Sequence, residues 1–281
     1  MSDSAPVARS VEEQSVTAVI PYCETYTPES MLAQAVESVE DQVGVDTEVV
    51  VVEDEDERGP AWARNVGIER AETRYVALLD ADDTWHRDKL RRQLRELADT
   101  GAGLCVDGSV DRSPLAFTRA LLTGETHSLT SSILIDTTTV TARFDESLER
   151  REDHLFMIEA AMEAGVCFTA ETFDGRDHED GFSNYVDVSP EGIDDFFERV
   201  LTVAPGVRQF ESAYYATAYT YLGRRHHFDR EYGTAVGYYV RAMQHRPTVD
   251  AVGALGLTVL AALYDYPRRL LGGARAGGTH E

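Results

Sequence analysis

The chain has 281 residues, room for one large domain or one domain with a smaller appendage, and 43% of them are hydrophobic, enough for a sizeable core. Its 50 acidic residues against 26 basic ones leave a formal net charge of -24, which excludes sequence-independent binding to duplex phosphate and argues against nucleic acid as a partner. Lys89 is the only lysine, and this acid-rich, lysine-poor balance suits a high-salt cytoplasm, where a Debye length of about 3 Å screens the self-repulsion.

Residues 1–15 are polar and acidic, without the apolar run of a secretory signal, and are expected to form a disordered tail. Residues 16–21 (VTAVIP) read as a first strand. Thr27 and Pro28 then open a helix whose Met31, Leu32, Ala35, Val36 and Val39 follow helical spacing. A second strand, residues 48–52, runs into the acids Glu53, Asp54, Glu55 and Asp56. Gly59 and Pro60 start a helix through Ala71, and a third strand at 75–79 runs into Asp80, Asp82 and Asp83. Strands alternating with helices predict an α/β domain with a mostly parallel sheet flanked by helices.

Further on, residues 85–98 read as a charged surface helix, 104–106 as a strand and 107–129 as irregular. Residues 131–170 read as strand, turn, helix (153–164) and strand. After a loop rich in Asp, Gly and His, the remainder reads as helices at 190–203, 209–228, 231–246 and 248–264. The expected organisation is therefore a main domain over 16–190, a helical region over 191–270 and a tail over 271–281. The paired helices carry Tyr214, Tyr215, Tyr219, Tyr238 and Tyr239 with small residues between, like one tetratricopeptide-type repeat that must pack on something else. Cys23, Cys105 and Cys167 include no CxxC pair and read as small buried hydrophobes.

In an open parallel sheet, ligands lie outside the carboxyl ends of the strands. Here those ends are Pro21-Tyr22-Cys23-Glu24, Glu53 to Asp56 and Asp80 to Asp83, two of them carboxylate clusters that would repel a bare phosphate. The first loop contains neither a G-x-G-x-x-G fingerprint nor a Gly-rich basic segment, so a dinucleotide cofactor and a nucleotidyltransferase loop fit poorly. A nucleotide diphosphate fits better, its phosphates bridged by Mg²⁺ or Mn²⁺ held by Asp80 and Asp82, since hard cations take carboxylate oxygens and keep positions for phosphate.

The segments VTAVIPYCETYTPESMLAQAVESVEDQ and EVVVVEDEDERGPAWARNVGIERAETRYVALLDADDTWHRDKLRRQ resemble the family 2 inverting glycosyltransferases of GT-A fold, and the resemblance resumes at SLTSSILID and FDESLERREDHLFMIEAAMEAG. It implies a GT-A domain that moves a sugar from a nucleotide-diphosphate donor to a glycan hydroxyl. Pro21, Tyr22, Glu24, Glu53 and Asp54 would bind the donor, with more weight on Asp54 because the family's usual acidic pair is Asp-Asp. Arg64 and Asn65 would line the same pocket, Asp80 would reach ribose or metal, and Asp82 would be the principal metal ligand. Asp153 matches the family's general base, with Glu152 beside it. Independently, a carboxylate at a helix start is stabilised by the N-terminal dipole and can accept a proton, although such a residue also reads as a plain N-cap.

Arg176 fits a phosphate clamp and His178 a surface residue, while Trp85 reads as packing. Two other functions compete: transfer to a polyprenyl phosphate, and a non-catalytic scaffold for glycan assembly. Residues 201–281 hold nine arginines and six acids, a net of +3, so the first 200 residues carry -27. Arg224, Arg225, Arg230, Arg241 and Arg246 beside an apolar helix predict peripheral contact of residues 201–281 with an anionic membrane, bringing the enzyme to a lipid-linked acceptor on the cytoplasmic face.

Overall fold

A computed structural model describes residues 14–108, 113–126, 129–148, 150–170, 172–175 and 189–273, with side chains to Tyr264. Residues 1–13, Arg176, His178 and the last eight positions lie outside the described residues. The elements in order are β1 (Ser15–Tyr22), α1 (Glu29–Glu40), β2 (Asp46–Glu53), α2 (Pro60–Arg70), β3 (Tyr75–Leu78), β4 (Thr84–Trp85), α3 (Lys89–Thr100), β5 (Leu104–Asp107), α4 (Pro114–Thr123), β6 (Leu134–Asp136), α5 (Glu152–Ala164), β7 (Val166–Thr169), β8 (Phe173–Asp174), α6 (Pro190–Val203), α7 (Glu211–Phe228), α8 (Tyr232–His245) and α9 (Val249–Gly273).

Six strands form one sheet in the order β2-β1-β3-β6-β5-β7. β1 pairs in parallel with β2 and β3, and β5 in parallel with β7, while β6 runs antiparallel to both β3 and β5. The near-continuous apolar sequence of β1 follows from this central place, because residues on both of its faces must be buried. Val16, Ala18 and Ile20 share a cluster with Ala35 and Val39 of α1 and with Leu90, Leu94 and Leu97 of α3. Val19 meets α2, where Gly67 permits close approach: a Cβ there would come within 2.1 Å of Val19 Cγ1. β2, at the sheet edge, buries Val52 and leaves its other residues partly or fully exposed.

Three local expectations change. Trp85 does not begin a helix. It lies in β4, which pairs with β8, and α3 starts at Lys89 and stops at Gly101 in the left-handed conformation that glycine adopts without strain. The stretch expected to be irregular contains α4, whose Phe117, Ala120 and Leu121 are buried. Residues 131 and 132, expected as strand, form a single 3-10 turn with Thr130 before β6.

Two compact units divide the chain. One runs to Val207 apart from residues 122–124, and the other comprises those three residues and Arg208 onward. The boundary expected at 190 therefore falls before α6, which belongs to the first unit: Phe196 and Phe197 are buried, and the Arg151 guanidinium lies 5.3 Å over the Phe196 ring. In the second unit α7 and α8 pack through small residues, with Gly223 under the Tyr239 ring, where a Cβ would lie 2.6 Å from it. α9 joins them through buried Ala251 and Thr258, and Thr258 Oγ1 lies 2.8 Å from His227 Nδ1. Its outer side carries Val249, Leu257, Leu260, Leu263 and Tyr264, each more than 60% exposed. Among the described residues no helix is long and apolar enough to cross a membrane.

Candidate active site

Because β1, β2 and β3 are parallel, their carboxyl ends deliver residues 22–28, 53–59 and 80–83 to one edge of the sheet. The first two loops are joined directly. The Asp54 amide donates to the Tyr22 carbonyl (2.8 Å), and Glu57 accepts from Thr25 Oγ1 (3.0 Å) and Tyr26 Oη (3.4 Å). Glu57, at φ 53°, thus ties the two loops together, a contact that the sequence reading did not assign within a run of five acids. Pro21 and Tyr22 are half-buried at the end of β1, and Glu24 and Glu53 are exposed. Burial, and then the charges of Glu24, Glu29 and Glu53, raise the Tyr22 phenol above its ordinary range.

Asp54 is buried, and its two carboxylate oxygens accept from the amides of Arg58 (2.9 Å) and Gly59 (2.7 Å). It thus closes the loop that leads into α2, an internal use that the reading of Asp54 as a ligand contact did not include. Asn65, expected to line the pocket, is also committed inward. Its Nδ2 donates to the Phe144 carbonyl (2.9 Å) and to Glu146 Oε1 (3.0 Å), while its Oδ1 accepts from the Phe144 amide (2.8 Å). The Asn side chain thereby imitates a strand edge and holds the F-D-E turn.

Arg64, one residue earlier on α2, joins the two halves of the sequence pattern. Its Nη2 bonds Asp80 Oδ1 at 2.7 Å and its Nη1 bonds Glu152 Oε1 at 2.8 Å, with only 4% of the residue exposed. The guanidinium also lies 5.3 Å over the Phe144 ring, and its buried Nε has no hydrogen-bond partner among the described residues. Burial works against the charge, but Asp80 and Glu152 outweigh it and hold Arg64 protonated above its ordinary value. Glu152 is pushed up by burial and by the adjacent Asp153, against the pull of Arg64. Asp153, at the first turn of α5, is half-buried, with Oδ1 accepting from the His154 amide at 2.7 Å.

Behind the acids lies a second polar layer. Asp83 is buried and accepts from Ser131 Oγ (2.5 Å). Trp85 is packing, as expected, with its Nε1 on the Ser131 carbonyl (2.9 Å). Lys89 is fully buried, 4.5 Å over the Trp85 ring and 2.5 Å from Gln93 Oε1, and burial lowers its pKa to about 8 although Asp107 pulls the other way.

Among the described residues no group of three or more His, Cys, Asp or Glu side chains is placed to hold a metal unaided. Asp80, whose Oδ1 is bonded by Arg64, and half-buried Asp82 would be the carboxylates to hold a hard divalent cation, since Mg²⁺-type ions are held by one or two carboxylates and complete their shell with water and substrate phosphate.

Residues 53–145 match the Glycosyl transferase family 2 pattern. The succinoglycan biosynthesis protein ExoO of Rhizobium meliloti is 30% identical over 192 residues, covering 50% of this chain and 55% of that protein. The amylovoran biosynthesis glycosyltransferase AmsB of Erwinia amylovora is 59% identical over 34 residues, 12% of this chain and 11% of that one. The chain thus spans about half the length of the first relative and far less of the second. In fold it resembles S. aureus TarS 1-349, crystallised with UDP-GlcNAc, with a TM-score of 0.53 and 17% identity over 90% of this chain and 92% of that one.

The bridge gives a stability prediction. Removing one partner of a buried ion pair leaves the other charge uncompensated, so Arg64→Leu should lower unfolding free energy by about 3–5 kcal/mol, while Glu152→Gln, which still accepts from Arg64, should cost clearly less. Guanidinium unfolding followed by circular dichroism checks the order. Equal losses would mean that the bridge does not hold the two segments together.

Proposed function

We propose that this chain, whose residues 53–145 match the Glycosyl transferase family 2 pattern, is a member of that family and moves a sugar, with inversion at C1, from a nucleotide-diphosphate donor to a hydroxyl of a glycan acceptor. The observation that carries this reading is the Arg64 bridge. One buried guanidinium ties the acid loop at the end of β3 to the start of α5, so that donor-side and acceptor-side carboxylates share a single site.

In this reading the donor lies along the ends of β1, β2 and β3, with base and ribose against Tyr22, Glu53 and the 54–59 loop, and its diphosphate over Asp80 and Asp82. Asp153 faces the acceptor. It takes the proton as the hydroxyl oxygen bonds to C1, while the bond from C1 to the diphosphate oxygen breaks and its electrons leave with the nucleotide. Mg²⁺ or Mn²⁺ bound by Asp80 and Asp82 supplies the positive charge that the departing diphosphate needs. Glu152 is a poor alternative base because its carboxylate is engaged by Arg64. Its role is to keep Arg64 in place and to set the potential around Asp153.

The exposed apolar side of α9 extends the reading to a lipid-linked acceptor. Val249, Leu257, Leu260 and Leu263 would enter an anionic lipid interface on the inner face of the cell membrane, and arginines of the second unit, Arg224 and Arg241 among them, would lie at headgroup level.

Three measurements test these statements. Asp153→Asn should lower kcat by roughly 10²- to 10⁴-fold with donor KM little changed, whereas an equal loss of donor affinity would make Asp153 a structural residue. Asp82→Asn, or excess EDTA on the wild type, should abolish turnover while circular dichroism stays unchanged; full activity in EDTA overturns the metal-dependent mechanism. In flotation with anionic liposomes in molar salt, the wild type should rise with the lipid and the Leu257→Glu/Leu260→Glu variant should not. A wild type that stays in the soluble fraction overturns the membrane contact.

A further inference from the structure

Three consecutive buried residues, Thr130, Ser131 and Ser132, form the 3-10 turn immediately before β6. Because β6 is antiparallel to β3, the start of β6 lies beside the end of β3, where the acid loop begins. Ser131 uses its hydroxyl in both directions across that junction. Oγ donates to Asp83 Oδ2 (2.5 Å) and accepts from the Asp80 amide (3.1 Å), which uses its one O–H donor and one of its two acceptor lone pairs. The Ser131 carbonyl accepts from Trp85 Nε1 (2.9 Å), so a single residue fixes the acid loop at its beginning, its end and just beyond.

The neighbours of Ser131 extend the same turn in two directions. The Ser132 carbonyl accepts from Gln93 Nε2 (2.6 Å), and Gln93 Oε1 accepts from Lys89 Nζ (2.5 Å), which anchors the turn to α3. On the opposite side Thr130 Oγ1 lies 3.5 Å from Asp153 Oδ2. Thr130 is 3% exposed and Ser131 1%, so neither can touch a substrate of any size, and whatever they contribute passes through the carboxylates they hold.

We propose that this turn is a positioning device of the site: Ser131 sets the geometry of the donor-side acid loop, and Thr130 sets the orientation of Asp153. The proposal rests on the glycosyl-transfer reading above. It separates the two sides kinetically, because each side chain contacts only one of them. The short, buried hydrogen bond from Ser131 to Asp83 is strong enough that losing it should change the affected constant about tenfold, whereas the longer, part-buried contact of Thr130 with Asp153 should count for less.

The experiment is steady-state transfer from a panel of nucleotide sugars, with the wild type in parallel. Ser131→Ala should raise donor KM and the concentration of Mn²⁺ needed for half-maximal rate about tenfold, with kcat little changed. Thr130→Val should do the reverse: kcat falls about threefold, less than a short hydrogen bond would give because the contact with Asp153 is long, while donor KM stays. If Ser131→Ala does not fold, Ser131→Cys, which keeps the volume and only a weak donor, is read by the same criteria. The proposal is overturned if both variants change the same constant by the same factor, or if both keep wild-type constants. Failure of the wild type to turn over any donor removes the glycosyl-transfer reading and this proposal with it, an outcome distinct from an active wild type with indifferent variants.

Discussion

A single buried guanidinium determines how this site is assembled. Arg64 reaches Asp80, 16 residues away in sequence, and Glu152, 88 residues away. An arginine suits this place better than a lysine, because its planar fork serves two carboxylates at once without bringing them together and remains charged when desolvated. The same charge makes the arrangement demanding. The Arg64 guanidinium and the Glu152 carboxylate are largely out of water, with Asp80 partly exposed beside them, and such charges are tolerated only while paired, so the pieces of the site cannot drift apart without exposing an uncompensated charge. Asn65, the next residue, grips the 144–146 turn through three hydrogen bonds, and α2 thereby holds both the turn before α5 and the first residue of α5.

The sheet order explains why these contacts are possible. Parallel pairing of β1, β2 and β3 sends three loops to one edge, and the one antiparallel strand, β6, returns to that edge a turn that a wholly parallel sheet would have placed at the opposite end. The chain then passes through the F-D-E turn and enters α5 on the same side. The mixed character of the sheet is thus what brings the acid loop, the Thr130–Ser132 turn and Asp153 into one neighbourhood.

Charge is distributed with the same economy. The chain carries an excess of 24 negative charges, yet its one lysine is fully buried, stacked on Trp85 and bonded to Gln93 beneath the acid loop. Every basic side chain on the surface is therefore arginine or histidine. Burial lowers the pKa of Lys89, and Asp107, the ring of Trp85 and the side-chain carbonyl of Gln93 offset part of that cost.

Much of the fold was legible in the sequence, for a local reason. Burial on both faces of β1 requires a nearly continuous apolar run, and the polar residues that follow such a run mark the point where the strand leaves the core, so the ends expected at Pro21, Val52 and Leu79 lie one residue from those observed at Tyr22, Glu53 and Leu78. The helix starts at Pro60 and near Asp153 were legible from glycine, proline and the carboxylates themselves. What the pattern could not assign was the partner of each polar side chain. Asp54 looks like a ligand contact in a run of acids but is used by the amides of its own loop; Asn65 looks like a pocket residue but imitates a strand edge for Phe144; Ser131 looks like part of a strand but holds the acid loop. Each of these partners except Asp54's lies tens of residues away, at a distance fixed by strand order and by the direction of β6. Composition and periodicity carry the free energy of burial, which is local and summed over many residues, whereas a hydrogen bond depends on the relative placement of two groups to within a few tenths of an ångström, and only the tertiary structure decides that.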